Sequence, residues 1–191
     1  NADYATRISA LGVLLNTTAR HDEAEALLRE ALDVRRRVLG EEDEEYGRSL
    51  ANLGGLLSQT GRLEEAEGVL RQALQVTRAA VGEAHPDFAM RLNGLGYVLH
   101  RTGRPTEALP MMEKSVAAVL ARLGEDHPRY AFALHNYAMM LSAEGQKEVA
   151  EPLLRKGLDI RIAVCGDGHG ETELSRASLA VLLAETGRMP E

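Results

Sequence analysis

The chain has no tryptophan, a single cysteine, six prolines, three lysines against nineteen arginines, and only 4% aromatic residues among its 191. One cysteine, Cys165, excludes an internal disulfide and any cysteine-rich zinc site. Apolar runs are short: residues 116–121 form one of the longest, far below the roughly 18 consecutive apolar residues that a membrane helix needs. No basic stretch followed by an apolar one opens the chain, so no secretory leader is read and a cytoplasmic location is expected. The net charge is -7 and the one basic run, Arg35–Arg37, is brief, which argues against a nucleic-acid partner. What is present is ordinary for a folded domain: 45% apolar and 27% charged residues. A single domain over residues 1–191 is the reading that length supports.

The chain repeats itself every 42 residues, without insertion or deletion. Tyr4, Tyr46, Phe88, Tyr130 and Thr172 mark the period, giving repeats 4–45, 46–87, 88–129 and 130–171 and a partial copy over 172–191. One column reads Leu11, Leu53, Leu95, Tyr137, Leu179. The next reads Gly12, Gly54, Gly96, Ala138, Ala180, and another Leu15, Leu57, Leu99, Leu141, Leu183. Each copy carries two stretches with the i, i+3, i+4, i+7 apolar spacing of a helix, such as Leu50, Leu53, Gly54, Leu57 and then Ala66, Val69, Leu70, Ala73. Gly61, Gly103, Gly145 and Gly187 fall between the two stretches and read as left-handed helix stops. Ala19 occupies that place in the first copy, where the turn should be less comfortable. The small-residue columns predict close helix crossings within each pair.

Several other signals have structural readings. His85, His127 and His169 recur at one helix start, a full repeat apart, too far to share a metal ion. The glycine-rich segment 166–170 lacks the Lys-Ser/Thr of a phosphate loop and reads as a connector. Cys165 shares a column with Leu39, Val81 and Leu123 and is expected to be buried. Arg35–Arg37 lies late in a helix, where cations suit the dipole, and reads as a solvated face. Pro110 and Pro152 fall inside second helices and predict a bend there. No nucleophile motif or paired-carboxylate constellation points to catalysis, and no cofactor or metal site is read.

The runs Leu-Asn-Gly-Leu-Gly (92–96), Thr-Gly-Arg (102–104), Glu107-Ala108 and Gly-Glu-Asp-His-Pro (124–128) resemble the 42-residue tetratricopeptide repeat typified by kinesin light chain. The resemblance covers nearly the whole chain. It implies an all-α, right-handed superhelix of about four and a half helix-turn-helix units, with a concave groove lined by the first helices. It also implies binding of a protein or peptide, not catalysis.

The first helix of each repeat has a second stripe opposite its core stripe. In the second copy it includes Arg48 and Asn52; in the third, Met90, Asn93, Tyr97 and Arg101; in the fourth, Phe132, His135, Asn136 and Met139. These ten are the candidate partner-binding residues. The asparagine amides suit peptide main chain, the aromatic and methionine side chains offer adaptable apolar surface, the arginines suit carboxylates, and His135 adds pH sensitivity. A non-catalytic scaffold for a protein or extended peptide is the reading favoured here, as part of a larger regulatory protein in a bacterial source. A self-assembling structural scaffold, associating through open repeat ends, and a receptor for a small signal peptide are the alternatives.

Overall fold

The computed structural model describes residues 1–188. Nine helices and no strands occur among them. The first helices of the repeats are α1 (Ala2–Thr17), α3 (Glu44–Gln59), α5 (Pro86–Arg101), α7 (Pro128–Ala143) and α9 (Gly170–Glu185). The second helices are α2 (His21–Leu39), α4 (Leu63–Val81), α6 (Pro105–Leu123) and α8 (Lys147–Cys165). Each set starts at intervals of 42 residues, so the sequence period is the structural period.

One column explains where the first helices begin. Asn1, Asp43, His85, His127 and His169 are their N-caps, and each side chain accepts the backbone N–H two residues on, as Asp43 does at 2.8 Å and His127 at 3.1 Å. The recurring histidines are thus used at helix starts, as read from the sequence. The first helices end in a closed turn. Arg62 donates its N–H back to the Leu57 carbonyl at 2.9 Å, and Arg20, Arg104, Gln146 and Arg188 repeat this bond. The turn needs a left-handed residue. Gly61 supplies it at φ 81°, whereas Ala19 holds φ 59° in the first repeat, a conformation that costs an L-residue about 1–2 kcal/mol.

The pairs pack as closely as the small columns require. A Cβ on Gly54 would lie 2.6 Å from Leu70 Cγ, and one on Gly96 would lie 3.1 Å from Met112 Sδ. A continuous core runs through Leu15, Leu28, Leu57, Leu70, Leu99 and Met112 to Met140, tying the first four repeats together. Each fully buried leucine of this kind contributes about 1.5–3 kcal/mol. Outside the core, the turns between paired helices form a ridge of ion pairs. Glu25 joins Arg29 and Arg62, and Glu67 joins Arg71 and Arg104, all at 2.8 Å. Burial pushes both carboxyls up, but the arginine hydrogen bonds outweigh it and hold them below the usual range.

Two expectations change. Cys165, the last residue of α8, is exposed instead of buried. It shares this with Leu39, the last residue of α2 in the same column, whereas Val81 and Leu123 are half-buried. Arg35 does not belong to a solvated run: it is 3% exposed, while Arg36 and Arg37 alone face solvent. Helices α6 and α8 continue through Pro110 and Pro152, whose rings sit on the exposed side.

Candidate functional site

Curvature follows from which helices come close. Each first helix approaches the next first helix, α1 with α3, α3 with α5, α5 with α7 and α7 with α9. No two second helices bring their backbones this near among the described residues. The first helices therefore lie on the tighter, concave side, and their second stripe faces into it.

Two hollows adjoin on this face. The first, of about 340 Å³, lies between α3, α5 and α7. Small residues make it: Ala51, Gly55 and Gly94 leave the space open and Leu70 reaches it from α4. A Cβ on Gly55 would meet nothing within 4 Å, and one on Gly94 only Leu70 Cδ2 at 3.7 Å. Around the opening stand Asn52, Met90, Asn93, Tyr97, Phe132 and Asn136, six of the ten residues singled out from the sequence. The second hollow, of about 370 Å³, is bordered by Tyr97, Arg101, His135, Asn136 and Met139. Tyr97 and Asn136 border both, so the hollows lie side by side along one path across three repeats.

The polar groups on this path are partly engaged with one another. Asn136 Nδ2 donates to Asn93 Oδ1 at 2.9 Å, and Asn52 Nδ2 donates to Ser9 Oγ at 3.3 Å. These bonds tie neighbouring first helices together. The Nδ2 of Asn93 is buried with no partner in the protein, a donor whose hydrogen bond is costly to leave unmade. Arg101 Nη1 donates to the Tyr97 hydroxyl at 3.0 Å. Tyr97 and Met139 remain 45% and 42% exposed, large apolar side chains presented to solvent beside the path. His135 is buried. Burial, reinforced by the Arg161 charge, lowers its pKa to about 4, so it is neutral at pH 7.

Arg48 stands apart from both hollows. It is held among Glu44 at 3.2 Å, Glu45 at 2.9 Å and Asp87 at 3.9 Å. Its i, i+4 acidic neighbour competes for it locally, which stripe spacing does not register. One charged residue outside the stripe borders the first hollow, beside Ser58 and Leu70: Arg91, on the edge of α5. Its column, Arg7, Ser49, Arg91, Ala133, Ser175, contains small residues in three of five copies, and an arginine at the middle of such a column was the available signal. No group of three or more His, Cys, Asp or Glu side chains suited to a metal occurs among the described residues, and no described helix is long and apolar enough to cross a membrane.

Comparison with known proteins agrees with this architecture. The tetratricopeptide repeat family model matches residues 4–79 and 87–163. A search of curated proteins finds no match. Among solved structures, the kinesin light chain nearly identical TPR-like repeats from Podosopora anserina share 21% identity with a TM-score of 0.77, covering 98% of this chain and 89% of that one. A point-substituted form of the same repeats gives 22% identity at the same TM-score, covering 95% and 86%. BtubC (BKLC) from P. vanneervenii shares 20% identity with a TM-score of 0.79, covering 97% of this chain and 74% of that one. The repeat period, the paired helices and the family match together establish that this chain belongs to the tetratricopeptide repeat family, an all-α superhelical fold that generally serves as a protein-interaction scaffold.

Proposed function

We propose that the concave face of α3, α5 and α7 binds an extended segment of a partner protein and performs no chemistry on it. The observation that carries this reading is the pair of adjoining hollows, with a buried, partnerless Asn93 Nδ2 beside exposed Tyr97 and Met139. An amide donor at that place matches a main-chain carbonyl, and the hollows match side chains on either side of it. The face is already formed, so a ligand loses mainly its own conformational freedom on binding.

The test is selection from a display library of random 12-residue peptides, panned on the chain and on an Asn93→Ala, Tyr97→Ala, Asn136→Ala variant of equal helicity. The chain should recover a convergent peptide pool that the variant fails to bind. Equal recovery by both would place binding away from the concave face.

A further inference from the structure

Two of the four junctions between repeats share a polar device, a third is built the other way round, and the one between the third and fourth repeats is apolar, with Val119 and Ala133 in those columns. Between the first and second repeats, Arg35 of α2 donates to Ser49 Oγ at 2.6 Å and pairs with Glu45 at 2.8 Å. Between the fourth and fifth, Arg161 of α8 hydrogen-bonds Ser175 and pairs with Glu171 at 3.2 Å. In both, a second-helix arginine meets a serine and an acid on the next first helix. Between the second and third repeats the side chains are exchanged. Thr77 stands in the arginine column and Arg91 in the serine column.

The exchange moves a guanidinium from α4 onto α5, beside the first hollow. The acid that should accompany it is Asp87, one helical turn earlier. Its two oxygens are turned to Arg129 at 2.9 Å and Arg48 at 3.9 Å. Among the described residues the Arg91 side chain makes no hydrogen bond and has no carboxylate within 4 Å, and its Nε is fully buried. Thr77 Oγ1 at the same junction is partnerless too. Burial pushes the Arg91 guanidinium down, and Asp87 only partly opposes this. The residues bordering both hollows include no Asp or Glu, in a chain that carries 29 of them. A cation has been placed where no carboxylate of the described residues pairs with it directly, and Asp87 balances it only from a distance.

We propose that Arg91 is a specificity-determining residue of the concave face, taking one carboxylate from an Asp or Glu side chain inside the bound partner segment. The proposal rests on the concave-face reading above. A single negative charge fits because Arg48 and Arg129 are already committed to Glu44, Glu45 and Asp87; a dianionic phosphate in the first hollow would find one free guanidinium there. An internal side chain fits because the path continues past the first hollow towards Arg101, leaving room for the chain to run on.

The same library, displayed with both peptide ends blocked, is panned on the chain and on Arg91→Gln. The pool recovered by the chain should show Asp or Glu at one aligned position, and the Arg91→Gln pool should not. In a synthetic peptide from the first pool, replacing that acid by its amide should weaken binding about tenfold to the chain and less than twofold to Arg91→Gln. Without ligand, Arg91→Met should raise the melting temperature, because an uncompensated buried charge is removed. A convergent pool with no acidic position overturns the role of Arg91 while the concave face stands. Binding that requires a free C-terminal carboxylate overturns the side-chain assignment. A fall in melting temperature on Arg91→Met would make Arg91 a structural residue and overturn the proposal. Failure of the chain to select any pool sinks the concave-face reading itself, and this inference with it.

Discussion

Gly54 and Gly55 are neighbours on one helix, yet they do opposite things. A Cβ on Gly54 would press to 2.6 Å from Leu70 Cγ; a Cβ on Gly55 would touch nothing within 4 Å. Gly96 and Gly94 on α5 repeat the contrast, with contacts of 3.1 Å and 3.7 Å. The first of each pair lets two helices approach, and its cost in helix propensity is offset by packing. The second has no packing reason to be glycine. It leaves a hollow on the concave face and weakens its helix by about 1 kcal/mol relative to alanine. Under the proposed function, such a position gives up stability for space on the binding face.

The sharpest way to break this contrast is Gly54→Leu. Four added carbons have no room against Leu70, and overpacking typically costs about 1–3 kcal/mol or more. We expect about 3 kcal/mol, the upper part of that range, read as a lowered urea midpoint. Gly96→Leu should cost less, because Met112 is the more pliable neighbour. An unchanged midpoint for Gly54→Leu would mean that the helix crossing is wrong.

His135 gives the next largest effect. Its folded pKa of about 4 lies below the usual 6.5, so the folded chain resists a proton that the unfolded chain accepts. Stability from this source is complete above pH 6.5 and is lost as pH falls towards 4. Between pH 6.5 and pH 5 the loss should be about 2 kcal/mol, at about 1.36 kcal/mol per unit. This window lies above that of the ion-paired carboxyls such as Glu25 and Glu67, which are held below 4.5. His135→Gln should flatten the pH dependence of the urea midpoint there; an unaltered slope would show that the imidazole is not the group responsible.

The smallest expected effect has the opposite sign. Gly94→Ala should raise stability by up to about 1 kcal/mol, since its Cβ finds ordinary contact with Leu70. Destabilisation by Gly94→Ala would remove the distinction between the two glycine faces.

Much of the fold was legible because a repeat writes the same physical requirement several times. The glycine column, the leucine columns and the helix-stop glycines each appear in register, and the helices start 42 residues apart. Six of the ten candidate residues gather round one hollow because the i, i+3, i+4, i+7 stripe is a property of a single helix. What was not legible depends on neighbours from other helices. Arg48 is captured by Glu44, Glu45 and Asp87. His135 is buried near Arg161 of α8. Arg91 lies one step off the stripe, and its isolation exists only because Arg129, a full repeat away, takes Asp87. Cys165 shares a column with hydrophobic residues but is the exposed last residue of its helix.

The most direct test of the concave-face account is a backbone amide spectrum of the ¹⁵N-labelled chain, recorded with and without a peptide recovered from the random library. The glycines supply probes on both sides of the molecule. The account predicts that the amide signals of Gly55 and Gly94 move on titration, while those of Gly61 and Gly103, at the turns beside the ion-paired ridge, stay in place. Shifts centred on Gly61 and Gly103, with Gly55 and Gly94 unmoved, would contradict it.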